Sequence, residues 1–327
     1  MNKEIWVFAE IADGATVPVY KELLCKAHEL AEGMGNTRVC SVVLGNNIQD
    51  VTASVATMGG DTVYSVDHEK LSHYESNNFA VALEHLIRTY NPDMVLVGAT
   101  ALGAELAPTV AAKCKTGLAA HCVDIRLGED RVNCMVPAFG GRVISEIYIP
   151  NTKPMMASVR SGILTAYDLP AKEAKIICAD ASFLNEYVVK EELVSFTPNL
   201  SNGKKLEEAD VVVCAGRGIM TEPVWKHLQE LAEKLDAGIG YTRSFADTGL
   251  VPDESNMIGT SGKSVKPKVF LGFGISGAAH HVCGMNKSGL VITVNKDSKA
   301  KMFQFSDYGI VGDADKMICA LLEKLEK

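Results

Sequence analysis

Along the first half of the chain, short apolar runs alternate with longer segments in which apolar residues recur every three or four positions. Residues 5–9 read as a strand, and 19–32 as a helix with Leu23, Leu24, Ala27, Leu30 and Ala31 on one face. The alternation continues with strands at 38–44, 62–66 and 94–97 and helices at 48–58, 78–90 and 105–113. Strands that alternate with helices predict a parallel sheet covered on both faces. Past residue 120 the helical period disappears. Segments 131–136, 143–148 and 156–159 read as strands joined by Pro/Gly turns, which predicts an antiparallel extension of the first sheet; 174–180 and 186–196 continue in that mode. The polar cluster TPNLSNG at 197–203 predicts a linker. Beyond it alternation resumes, with strands at 210–214, 237–241, 268–273 and 290–295 and helices at 223–235, 276–285 and 313–327. The reading is an α/β protein of two domains, 1–198 and 199–327.

Composition narrows the function classes. The 327 residues are 47% hydrophobic, 22% charged and 6% aromatic, with a net charge of -8. A chain of this length exceeds one ordinary domain and can build a sizeable core. The acidic balance and few aromatics argue against a nucleic-acid partner. No run of about 18 apolar residues predicts a membrane span, and the start, MNKEIWVFAEI, lacks the length and cleavage site of a signal peptide. A cytoplasmic protein is expected. The nine cysteines include no CxxC pair, so they read as buried small hydrophobes and no metal site is expected.

The chemistry-bearing pattern lies in the second domain. Three strand ends there carry loops of small residues: AGRG at 215–218, GTSG at 259–262 and GISG at 274–277. Open α/β sheets bind ligands outside the carboxyl ends of their strands. Glycines let a backbone approach a phosphate, and helix N-terminal N–H groups favour the anion. Residues 272–277, GFGISG, have the GxGxxG spacing of a dinucleotide loop. Two features depart from the nicotinamide pattern: Gly272 falls inside the strand, and the acidic residue wanted near the end of the next strand is Asn295. The working loop is the shorter GISGA, with Ser276 expected as the helix N-cap. Arg217 and Arg243 follow strand ends on the same edge, where cations would suit a ligand with phosphates and a π-system. His280 and His281 begin the helix that follows.

These residues carry a resemblance. The run GTSGKSVKPKVFLGFGISGAAHHVCGM at 259–285, then NKD at 295–297 and SDYGIVGD at 306–313, closely resembles the electron transfer flavoprotein alpha subunit, including its nitrogen-fixation (FixB) and electron-bifurcating branches. GRG at 216–218 and TRSFADTGLVP at 242–252 fit that pattern in order, as do LVGAT at 96–100, TGL at 116–118 and FGG at 139–141. The resemblance covers essentially the whole chain. It implies an N-terminal adenine-nucleotide-hydrolase-like domain used in subunit pairing, and a Rossmann-like C-terminal domain that holds one FAD. It implies a heterodimer with an electron transfer flavoprotein beta subunit, which shuttles electrons between a flavin dehydrogenase, such as an acyl-CoA dehydrogenase, and an acceptor. Carried over by position, Arg217 contacts FAD and Arg243, after Thr242, lies over the isoalloxazine. Ser261, within Ile258-Gly259-Thr260-Ser261, bonds near N5. Ser276, Gly277, Ala278, Ala279, His280 and His281 wrap the pyrophosphate and reach the ring, with His281 at the O2 edge. Asn295 and Asp313 hold the adenosine side. No catalytic nucleophile or base is expected.

Five positions depart from the family pattern. Thr260-Ser261 replaces Gln-Thr, Thr242 replaces Ser, His280 replaces Gln, and Lys301 replaces Pro. Two other readings stay open at this level: an NAD(P)-dependent dehydrogenase using 272–277, and a nucleotide-binding regulatory subunit without a redox role.

Overall fold

A computed structural model describes residues 3–129, 131–139, 143–170, 172–187, 194–195, 206–251 and 254–325. The chain forms two compact units, one of Met1–Ala138 and Val143–Pro198 and the other of Phe139–Arg142 and Asn199–Lys327. The linker expected at 197–203 lies outside the described residues, as do most of 186–196 and the glycines of FGG.

The first unit runs β1 (Lys3–Phe8), a small hairpin of β2 (Ile11–Ala12) and β3 (Ala15–Thr16), α1 (Pro18–Met34), β4 (Thr37–Gly45), α2 (Gln49–Ala56), β5 (Thr62–Asp67), α3 (Ser76–Tyr90), β6 (Met94–Gly98) and α4 (Ala101–Cys114). It continues through β7 (Leu118–Cys122), β8 (Asp124–Leu127), β9 (Val132–Ala138), β10 (Val143–Ile147), β11 (Met155–Val159), β12 (Lys175–Cys178) and α5 (Phe183–Glu186). Seven strands pair in the order β12-β5-β4-β1-β6-β11-β7, every pair parallel.

β1 shows why the sheet is clad on both faces. Successive side chains of a strand point to opposite sides. Ile5 and Val7 enter a core with Leu23, Leu24 and Leu30 of α1, while Trp6 and Phe8 enter a second core with Leu83 and Leu86 of α3 and Leu106 and Val110 of α4. The polar exception, Glu4, is buried at the start of β1. It accepts from Trp6 Nε1 at 2.8 Å and pairs with Arg38, so its charge is compensated where it is taken from water. α4 begins at Thr100, whose Oγ1 accepts the Gly103 N–H at 3.0 Å. A Cβ at Gly103 would lie 1.9 Å from the Gly98 carbonyl oxygen, so glycine sets how closely α4 approaches β6.

Two sequence expectations need correction here. Residues 155–159 are no part of an antiparallel extension: β11 is an inner strand of the parallel sheet, between β6 and β7, and its burial on both faces is what a parallel strand requires. The antiparallel strands instead form a separate sheet, β10-β9-β8. Residues 175–178 are likewise a parallel edge strand, β12 on β5.

The second unit runs β13 (Val211–Ala215), a 3-10 turn Arg217–Ile219, α6 (Glu222–Lys234), β14 (Gly238–Tyr241), α7 (Arg243–Ala246), β15 (Val269–Phe273), α8 (Ala279–Val282), β16 (Leu290–Asn295), a 3-10 turn Lys301–Phe305, β17 (Tyr308–Val311) and α9 (Ala314–Leu325). Its five strands are parallel in the order β14-β13-β15-β16-β17. α6 and α9 cover one face through Trp225, Leu228, Leu231, Ile318 and Leu322. The opposite face is covered by α8 and loop residues such as Ile258, Val265 and Met302. β17 was not expected from the sequence, because Tyr308 and Val311 face solvent on this edge strand and no apolar run announces it.

Leu228 is fully buried. Leu228→Ala is expected to destabilise the second unit by about 2–5 kcal/mol, as large-to-small changes in a packed core do. Urea unfolding followed by Trp225 fluorescence, with Trp6 replaced by Phe, measures this; an unchanged midpoint would contradict the packing of α6.

Candidate functional site

The strand order of the second unit fixes where a ligand can sit. From β13 the chain moves outward to β14, then returns past β13 to place β15 on its other side. The loops leaving β13 and β15 therefore diverge, and the crevice between such strands is where open α/β sheets bind ligands. Glycines close the floor of this crevice. Gly218 N–H donates to the Gly274 carbonyl at 3.0 Å, and a Cβ at Gly218 would stand 2.7 Å from the Gly274 Cα. Gly274 itself has φ of 66°, in the left-handed region.

The loop that continues from Gly274 supplies donors. Among the described residues, the N–H groups of Ser276, Gly277, Ala278, Ala279 and His280 have no hydrogen-bond partner. Unpaired backbone donors in succession form a concavity suited to an anion. Gly277 has φ of 83°, and a Cβ there would lie 2.2 Å from the Met302 nitrogen. The loop thus lies flat on the turn Lys301–Phe305. The helix after it is shorter than expected: α8 spans Ala279–Val282, and Ala278, not Ser276, occupies the N-cap position. Ser276 is exposed, two residues before it.

A second loop is zipped to the first. The N–H and Oγ1 of Thr260 both donate to the His280 carbonyl, at 2.8 and 3.2 Å. Gly262 N–H closes a turn onto the Gly259 carbonyl at 3.1 Å, which leaves Ser261 exposed at its tip. His281 is buried in the join, with Nδ1 3.0 Å from the Ile258 carbonyl oxygen. A carbonyl only accepts, so Nδ1 carries the ring proton. Nε2 is then a lone pair, and it is buried with no hydrogen-bond partner. Desolvation pushes the imidazole down to about 4, against a smaller upward effect of the Ile258 carbonyl.

The remaining expected residues follow strand ends on the same edge, and all but Arg217 have partners of their own among the described residues. Thr242 is buried, its Oγ1 3.2 Å from Ser244 Oγ, and Arg243 opens α7 as a largely exposed side chain paired with Glu254 at 3.6 Å. Arg217 is exposed in the turn after β13. Asn295 braces the glycine loop: its Nδ2 donates to the Ile275 carbonyl at 2.7 Å and its Oδ1 accepts from Asp297 N–H at 3.0 Å. Asp313 pairs with Lys296 at 2.8 Å and accepts from Lys316 N–H; the Lys296 contact holds its carboxyl below the ordinary range. The structure therefore brings together Ile258–Ser261 with His280 and His281, and Gly216–Gly218 with Gly274, while Arg243 and Asp313 are engaged with other side chains. The contribution of backbone carbonyls, that of Ile258 above all, carries no side-chain signal and could not be read from the sequence.

The family profile described as "Electron transfer flavoprotein domain" matches residues 5–184, and that described as "Electron transfer flavoprotein FAD-binding domain" matches 205–286. The electron transfer flavoprotein subunit alpha of Thermoanaerobacterium thermosaccharolyticum is 36% identical, over 99% of this chain and 98% of its own. This chain belongs to the electron transfer flavoprotein alpha-subunit family. Protein FixB of Rhizobium meliloti is 33% identical over 99% of this chain and 93% of its own. The subunit LctC of a lactate dehydrogenase (NAD(+),ferredoxin) from Acetobacterium woodii is 34% identical over 100% of this chain and 78% of its own. The second unit is accordingly an FAD-binding domain, and the family's work is electron transfer. Its residues fit that cofactor in two respects: the unpaired N–H donors of 276–280 suit a pyrophosphate, and the buried Nε2 of His281 has no partner within the chain. The nicotinamide dehydrogenase reading is not favoured, and Gly272 indeed lies within β15.

The neutral His281 makes a pH prediction. In the unfolded chain the ring takes up a proton below about 6.5, whereas in the folded chain it does so only near 4. Stability is then fully present above pH 6.5 and is lost as pH falls toward 4, by up to about 3 kcal/mol. Thermal unfolding of the FAD-free chain between pH 7 and pH 5 should show a shallower fall for His281→Gln than for the unaltered protein. Parallel profiles would refute a neutral buried ring.

Proposed function

We propose that this chain is the FAD-holding subunit of a heterodimer with an electron transfer flavoprotein beta subunit. The heterodimer passes electrons between a flavin dehydrogenase, of the acyl-CoA type or another, and an acceptor. The observation that carries the reading is the run of unpartnered N–H groups from Ser276 to His280 at the crevice between β13 and β15. FAD, when bound, supplies one- or two-electron redox chemistry. The chain's own part is to hold and orient it and to set the charge around it.

In this reading the 276–280 donors hold the pyrophosphate. Ser261, Arg243 and His281 face the ring system, with Ile258, Gly259, Thr260 and Thr242 shaping that wall. Arg217 adds a cation at the opposite lip, and Asn295 and Asp313 serve the adenosine side. Asn295 keeps one Nδ2 hydrogen and one Oδ1 lone pair for a ligand after its two braces are made. The Nδ1–H contact to Ile258 fixes which atom of His281 meets the cofactor. Nε2 accepts from an N–H or O–H donor as it stands, and it donates to an oxygen only after taking a second proton. No residue is assigned as a catalytic acid, base or nucleophile.

The first unit is proposed to pair with the beta subunit; exposed Val143 and Ile144 on β10 offer apolar surface for it. No helix among the described residues is long and apolar enough to cross a membrane. The nine free cysteines support work in a reducing compartment such as the cytoplasm.

The test is co-expression with a beta subunit, gel filtration and chromatography of the released cofactor. A yellow heterodimer yielding FAD is expected. A colourless protein that takes up no added FAD would overturn the proposal. The FixB and LctC relatives support a place in an electron-bifurcating complex, which predicts two FAD per heterodimer; one FAD with AMP would limit it to simple transfer. Gly277→Ala places a Cβ against Met302 in a left-handed backbone. At about 1–3 kcal/mol of strain, it should weaken FAD binding roughly 5- to 150-fold. Unchanged retention would remove the 276–280 loop from the site.

A further inference from the structure

The helical face of the second unit carries a cluster that the electron-transfer reading does not use. His227 on α6 and Asp315 and Cys319 on α9 bring their donor atoms together. His227 Nδ1 lies 2.9 Å from Asp315 Oδ1 and 3.6 Å from Cys319 Sγ, and Sγ lies 3.8 Å from that same Oδ1. Asp315 and Cys319 are one helical turn apart, so they share a face of α9, and α6 packs against it.

Three chemical readings can be weighed against the geometry. A nucleophilic relay needs the carboxylate and the thiol on opposite ring nitrogens. Here both face Nδ1, so the cluster is no relay. A hydrogen-bonded cluster, in which His227 Nδ1–H and the Cys319 thiol both donate to Asp315 Oδ1, accounts for the same contacts and is the outcome that a zinc measurement has to exclude. The same three ligand-capable atoms, all within 4.8 Å of one another, are also grouped as the ligands of one cation would be. Zinc bonds of about 2.0–2.1 Å to nitrogen, 2.0–2.2 Å to oxygen and 2.3 Å to sulfur, at tetrahedral angles, set such donors roughly 3.3–3.6 Å apart. The two sides to Sγ, 3.6 and 3.8 Å, lie close to that, whereas the 2.9 Å N···O side is shorter, at hydrogen-bond length. Imidazole, thiolate and carboxylate together select zinc among the hard and soft divalent ions.

We infer that His227, Asp315 and Cys319 form a Zn²⁺ site, with three protein ligands and a fourth position open to water. The side chains of His227 and Asp315 are 40% and 41% exposed, which gives the ion a path and leaves that position wet. On binding, the Cys319 thiol proton passes to solvent and a zinc–sulfur bond forms; nothing is oxidised. The ion ties the first turns of α9 to α6. Because α9 also packs on the turn Arg217–Ile219, the staple stiffens one lip of the crevice from behind.

The experiment uses the untagged full chain, stripped with EDTA, dialysed against Zn²⁺ and freed of excess metal, with zinc counted by mass spectrometry. About one Zn²⁺ per chain is expected, and Co²⁺ in its place should give the visible absorption of a tetrahedral, thiolate-ligated ion. Cys319→Ser and His227→Gln should each weaken retention by at least about 10-fold, since loss of even an outer partner of a metal site costs about 10–100-fold. Circular dichroism and FAD uptake report that the variants remain folded. Zinc below one-tenth of an equivalent, or equal retention by the unaltered chain and folded Cys319→Ser and His227→Gln, would overturn the assignment.

Discussion

The second unit depends on backbone lying against backbone where β13 and β15 part. Gly216 and Gly218 sit directly on Gly274, at separations that leave no room for a Cβ on any of them. This contact does two things. It holds the ends of two parallel neighbours together while their loops diverge, and it strips that corner of side chains. A ligand there meets peptide groups first. The rest of the site is arranged around this bare corner: the 276–280 donors extend from it, the 258–261 turn is zipped to those donors through the His280 carbonyl, and Asn295 braces Ile275 from the next strand. Each link is a backbone hydrogen bond or a bond from a side chain to the backbone. Shape is therefore set before any charged side chain is committed.

The charged side chains are by contrast engaged elsewhere. Arg243 is paired with Glu254 and Asp313 with Lys296, both as largely solvent-accessible pairs of the kind that hold weakly. The site thus combines a rigid floor with cations and anions that can change partners at small cost. His281 is the exception, fixed by burial and by a single carbonyl in one tautomer.

Much of this was legible in the sequence, for identifiable reasons. The apolar runs of β1, β4 and β6 are buried on both faces and so stand out as continuous blocks, and the period of α1 and α3 follows from a single buried stripe. The glycine loops were visible because only glycine tolerates such contacts. Three things were not legible. β11 reads like its antiparallel neighbours until its partners are known, because strand direction is a property of pairing. α8 starts late because the glycine loop consumes residues 276–278 in a non-helical path. The His227, Asp315 and Cys319 cluster spans 88 and 92 residues between α6 and α9. A spacing rule looks for ligands close along the chain and passes over a set assembled only by helix packing.

The two faces of the second sheet differ in kind. One is clad by α6 and α9, helices of 13 and 12 residues, and the other by a four-residue helix and hydrogen-bonded turns. Local opening is least costly where few apolar contacts and short elements must be undone. The turn-clad side is thus built of short pieces, each held by hydrogen bonds to its neighbours over a buried apolar cluster.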